Sequence, residues 1–174
     1  MKKTFSTENE YEIARQNIKT ATEDWMKTCN VQFEYKPQYD SQNFLYGNKM
    51  VDFVLLEFDA GGLFIAKVFF PKDIPQERNI MLDASYYNSS FDKIGVLRHE
   101  LGHVLGFRHE HIAPEAPAAC PDEVITGTVP LTLYDPQSVM HYFCGDVGNK
   151  ELRISYNDSV GAKQIYGPST FNNF

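Results

Sequence analysis

Residues 99–109 read HELGHVLGFRH, a run in which three imidazoles and one carboxyl are spaced for metal chemistry. A helix turns once in about 3.6 residues. His99 and His103 therefore project from one face with their rings side by side, which supplies half of a zinc site. Glu100 is rotated off that face, yet it can reach a water held in an open coordination position, where a general base is needed. Gly106 can adopt the positive φ that ends a helix and reverses the chain, so His109 can return as a third ligand. Three protein nitrogens leave the fourth tetrahedral position to water, as in catalytic rather than structural zinc sites. The chain's other histidines, His111 and His141, follow in or near the two motif-bearing stretches instead of scattering over the sequence.

Positioning these groups requires a helix that is itself anchored. Ser89, Ser90 or Asp92 can cap it, and Ile94, Leu97, Leu101, Val104 and Leu105 supply a core-facing side. Upstream, Thr7 and Glu10 form a capping-box pattern, and Ala14, Ile18, Ala21 and Trp25 recur at helical spacing, which predicts an amphipathic helix over 8–28. Cys29 continues that apolar face and reads as a buried free thiol. Strand-like runs follow at 31–35, 51–58, 63–70 and 79–83, separated by segments carrying Pro, Gly, Asn and Asp. If 63–70 is an edge strand, its unpaired amides can dock an extended peptide; an interior strand is the alternative. After His109, Pro114, Pro117 and Pro121 preclude a regular helix and predict a surface loop. Ser155 with Asp158 starts a last helix that Gly167 and Pro168 stop.

At 174 residues the chain suits one domain with a substantial core. Hydrophobic residues at 43% and charged residues at 22% are ordinary for a globular protein. A formal charge of -7 argues against nucleic acid, whose phosphates it would repel. No run approaches the about 18 apolar residues of a membrane span. The start MKKTFSTENE lacks the apolar region of a signal peptide, so the chain is expected either to stay inside the cell or to have lost a leader. Three cysteines, Cys29, Cys120 and Cys144, allow at most one intramolecular disulfide.

HELGHVLGFRH matches in full the HExxHxxGxxH pattern of the metzincin zinc peptidases, and SVMHY at 138–142 resembles the Met-turn segment SxMHY of their astacin branch. AKVFFP at 66–71 and the ending ISYNDSVGAKQIYG look more like the matrixins. The resemblance implies an α+β fold over 1–174 as a single catalytic domain. It has a five-stranded mixed, twisted sheet and two long helices above an active-site cleft, with an upper part to about 106 and an irregular lower part ending in a helix. It also implies one catalytic zinc ion on His99, His103 and His109, with Glu100 as general base. Met140 becomes an apolar floor under the histidines, and Tyr142 a phenol that donates to the tetrahedral intermediate. The pattern departs from astacins after His109: HEHIAPEA stands where they carry HExxRxDR. Glu110 matches the astacin glutamate that pairs with the mature amino terminus, but a chain beginning MKKTF gives no ground for that contact.

Cys120 and Cys144 flank the Met-turn region, and a bridge between them would tie the proline-rich loop to the cleft wall, contributing roughly 3 kcal/mol. Inside a cell both would stay thiols. The expected function is zinc-dependent endopeptidase, acting on peptides or proteins as a secreted monomer, with a cytoplasmic location left open. The substrate is expected antiparallel to 63–70, with Phe64 and Val68, residues 139–147 and the 112–127 loop setting specificity. A zinc-containing binding module without turnover and a metal hydrolase of non-peptide substrates are the alternatives. Retention of Glu100 and Tyr142 weighs against the first of these.

Overall fold

The computed structural model describes residues 1–42, 50–121, 123 and 126–171. Its first long element is helix α1, Glu8–Thr28, capped at Thr7, whose hydroxyl accepts the Glu10 N–H at 3.1 Å. Ala14, Ala21 and Trp25 bury one stripe of it, as their spacing requires, and Cys29 at its end is a buried free thiol. The second is α3, Lys93–Val104, which carries HELGHV. Of the three candidate caps, Asp92 holds its start, accepting the Gly95 N–H at 2.6 Å. The two helices pack along the core and are linked by polar contacts as well: the Trp25 indole N–H donates to Arg98 O at 2.9 Å, and the Arg98 guanidinium meets Asp24 at 2.7 Å. A single helical turn, α2 (Ser85–Asn88), precedes α3, and α4 (Tyr156–Tyr166) closes the chain behind a full capping box between Ser155 and Asp158.

The sheet is mixed but smaller than expected. Among the described residues it has three strands, β1 (Val54–Glu57), β2 (Ala66–Lys67) and β3 (Asn79–Leu82), in the order β1-β3-β2. β3 runs parallel to β1, pairing Val54 with Asn79, and antiparallel to β2, pairing Ala66 with Leu82. Ile80 and Leu82 point from this central strand into the core, where Leu97, Leu101, Val139 and Met140 also lie. The expected strand over 31–35 forms no ladder among the described residues. Val31 and Phe33 pack against the core through their side chains, so the alternation there reports burial and not pairing. The 63–70 run shortens to two paired residues, because the left-handed glycines Gly61 and Gly62 bend the chain before it and Pro71 follows it. Among the described residues from Gly106 to Ser155 the backbone is irregular apart from a 3-10 turn at Glu110–Ile112 and an isolated bridge between Cys144 and Val147, as the prolines predict.

Candidate active site

The three histidines of the motif converge. Nε2 of His103 lies 3.2 Å from Nε2 of His99 and 3.0 Å from Nε2 of His109. On each ring the other nitrogen is engaged. Nδ1–H of His99 donates to Val139 O at 2.8 Å, that of His103 to Phe107 O at 2.8 Å, and that of His109 to the Glu123 carboxylate at 2.7 Å. An acceptor at Nδ1 places the ring proton there and leaves Nε2 bare. Three bare lone pairs facing one another at this distance repel unless a cation sits between them. Ligands about 2.0–2.1 Å from a tetrahedral zinc stand roughly 3.3 Å apart, close to the spacing observed, so the donor set fits that ion. Burial pushes His99 and His103 down to about 3 and His109 to about 2, which keeps all three neutral at ordinary pH, as metal ligands must be.

Local sequence accounts for the convergence. α3 stops in a Schellman turn: Gly106 takes φ +92°, its N–H donates to His103 O at 2.9 Å, and the Phe107 N–H donates to Gly102 O at 2.9 Å. The reversed chain then carries Phe107 O onto the His103 ring and His109 into the triad. Beneath them lies Met140, almost fully buried, with its sulfur against Gly102; a Cβ at that glycine would overlap Met140 Sδ. The turn holding Met140 is pinned by Asp158, which accepts Ser138 Oγ–H at 2.6 Å and the Val139 N–H at 2.8 Å. Val139 in turn offers its carbonyl to His99. Glu110 does not meet the amino terminus: it accepts the Asp135 N–H at 2.8 Å, whereas the Met1 ammonium lies 3.5 Å from Asp40.

Glu100 is buried at the foot of the cleft, and desolvation pushes its carboxyl up to about 8. A cation held by the three histidines would pull the other way, toward the carboxylate. Tyr142 is half-exposed, its ring centroid 4.2 Å from that of His109 and 5.7 Å from that of His99. Burial, then the neighbouring Glu123 and Glu100, push its phenol up to about 12, so it stays a proton donor. The cleft, about 700 Å³, runs between residues 62–68, including the edge of β2 that no other strand of the described residues pairs with, and the wall formed by Pro121 and Tyr142–Cys144. A disulfide joins Cys120 to Cys144 across that wall.

The family profile of the matrixins matches residues 2–116, well over half of the chain. The chain belongs to the matrixin family. Matrixins are zinc metallopeptidases, and in this one the converging imidazoles are a set of side chains that could hold the ion. The match ends before SVMHY at 138–142, so the segment that resembles astacins lies outside it. Among solved structures, the structure of myroilysin is similar in fold, with TM-score 0.63 and 16% identity, over 88% of this chain and 86% of that one. No curated protein gives a significant match.

Two residues of this matrixin's site escaped the motif. Gly102 could have been found as the one position in HELGH without a side chain, which leaves room for whatever lies under the ligand face. Glu123 had no signal: it follows His109 through an irregular loop, so no spacing rule links it to the ring it touches.

Proposed function

We propose that this matrixin is a zinc-dependent endopeptidase whose catalytic ion is held by His99, His103 and His109. The observation that carries the reading is the convergence of three bare Nε2 atoms next to a buried carboxyl, at a cleft bordered by a free strand edge. A bound zinc supplies Lewis-acid chemistry and brings the pKa of a water from about 16 toward about 7. Glu100 takes the proton of the attacking water on its carboxylate and delivers it to the departing amine nitrogen. Tyr142 donates its phenolic O–H to the oxygen on which charge develops. Met140 and Gly102 hold the ligand helix against its floor. A substrate strand adds antiparallel to β2, its main chain bonded to the free amides and carbonyls there and its side chains toward Phe64 and Val68. The Tyr142–Cys144 wall and the 112–127 loop face it across the cleft.

In this reading residues 1–174 act as one catalytic domain, divided near 106 into upper and lower halves, and work as a monomer. Its place is outside the cell, a reading supported by the Cys120–Cys144 bridge, since such bonds persist in oxidising compartments. No helix of the described residues is long and apolar enough to cross a membrane. The test is incubation of the zinc-loaded protein with a diverse peptide library, with and without a chelator, and mass spectrometry of the products. Chelator-sensitive internal cleavage is the expected result. Tight zinc binding without cleavage, or activity confined to non-peptide substrates, would overturn the endopeptidase reading.

A further inference from the structure

The three histidines are not held alike. His99 and His103 each donate Nδ1–H to a backbone carbonyl, a neutral acceptor fixed by the fold. His109, which lies past the reversal of the chain, is held by a side chain instead: its Nδ1 is 2.7 and 2.8 Å from the two carboxylate oxygens of Glu123. Glu123 lies beyond the residues matched to the family. We propose that Glu123 is the positioning residue of the third ligand, fixing the tautomer and ring plane that present His109 Nε2 and adding a negative charge behind it. The inference rests on the reading of the three histidines as zinc ligands.

The surroundings of Glu123 are built to keep it there. Cys120, three residues earlier, is bonded to Cys144, two residues past Tyr142, so the loop is tethered to the Tyr142–Cys144 segment of the same wall. The His111 side chain is fully buried, and its Nε2 lies 3.4 Å from Glu123 Oε1 without the alignment of a hydrogen bond. The His111 ring stacks on Tyr142 at 4.5 Å and on His109 at 4.9 Å between centroids. Glu123 thus closes a stack of three rings, two of which face the reacting site. A carboxylate behind a ligating imidazole raises its basicity more than a carbonyl does, and removal of such a partner commonly weakens metal binding by about 10- to 100-fold.

The experiment compares wild type with Glu123→Ala, Glu123→Gln and, as a control on the same loop, Glu115→Gln. Zinc affinity is measured by competition with a chromophoric chelator, and ligand geometry by the visible absorption spectrum of the cobalt(II)-substituted protein. The expected result is zinc binding about 10- to 100-fold weaker in Glu123→Ala, with an altered cobalt spectrum. Glu123→Gln should fall between Glu123→Ala and wild type, since its amide oxygen still accepts the Nδ1–H but carries no charge; Glu115→Gln should match wild type. Because Glu123→Gln keeps size and shape, it serves even where Glu123→Ala fails to fold. Glu123 variants that match wild type in both affinity and spectrum overturn the proposal. The comparison is read on metal binding, so a wild type that binds zinc without cutting peptides counts against the endopeptidase reading alone; one that binds no zinc overturns both.

Discussion

A neutral imidazole can present either nitrogen, and what selects Nε2 here is the acceptor that each Nδ1 has found: Val139 O, Phe107 O and the Glu123 carboxylate. Glu100 and Tyr142 then differ in what their loss should cost. If Glu100 is the proposed base, Glu100→Ala removes the group that carries the proton from water to amine, and kcat on a cleaved peptide should fall by about 10²- to 10⁴-fold. If Tyr142 is the proposed donor to the oxyanion, Tyr142→Phe should raise the barrier by about 3 kcal/mol while leaving measurable turnover. Steady-state kinetics of both variants at equal zinc occupancy checks the order. Gly102 acts through shape. Gly102→Ala forces its Cβ into Met140 Sδ, and overpacking of this kind costs about 1–3 kcal/mol. Thermal melting should show that loss, with weaker zinc binding because His99 and His103 flank the displaced turn.

The reversal after α3 is the element on which the triad depends. Gly106 sits at φ +92°, a region that costs a side chain about 1–2 kcal/mol. Gly106→Ala should therefore lower stability by that amount in chemical denaturation and weaken zinc binding, since Phe107 O and His109 both follow the turn. β2 makes a different kind of contribution. Only Ala66 and Lys67 pair with β3, and among the described residues no strand pairs with its other side, where the proposed substrate strand would add. Phe64 and Val68 flank it in the cleft, and replacing both with alanine should change the residues preferred around the scissile bond, as read from the cleavage products of a peptide library. An unchanged profile would remove the substrate from this edge.

Over the whole molecule, order is unevenly supplied. The segment up to Gly106 is held by regular elements: α1 and α3 meet through Trp25, Arg98 and Asp24, and the sheet packs Ile80 and Leu82 against them. The described residues between Gly106 and α4 have little repetitive hydrogen bonding, so cross-links carry that segment. Asp158 ties α4 to the Met140 turn, Tyr166 O–H donates to Leu105 O at 2.5 Å, and Cys120–Cys144 spans the cleft wall. Replacing Cys120 and Cys144 together with serine should lower stability by about 3 kcal/mol. It should also reduce zinc affinity, because the loop bearing Glu123 loses its tether. Calorimetry and chelator competition on the double variant check both effects.

Local chemistry made much of this legible from the chain itself. Helical spacing placed His99 and His103 on one face, Gly106 announced the reversal, the apolar period of Ala14, Ala21 and Trp25 marked α1, and Ser155 with Asp158 marked the start of α4. All of these are interactions between residues a few positions apart, where the geometry of one helical turn dictates the outcome. Pairing of strands is not of that kind. Alternation at 31–35 reports which side chains are buried and says nothing about whether a neighbouring backbone lies within hydrogen-bond reach, and along 63–70 it could not say how few residues would pair. Glu123 behind His109, Gly102 over Met140 and Asp158 under Val139 likewise depend on how distant segments pack. Their geometry exists only once the chain has closed on itself, so no local pattern in the residues can encode it visibly.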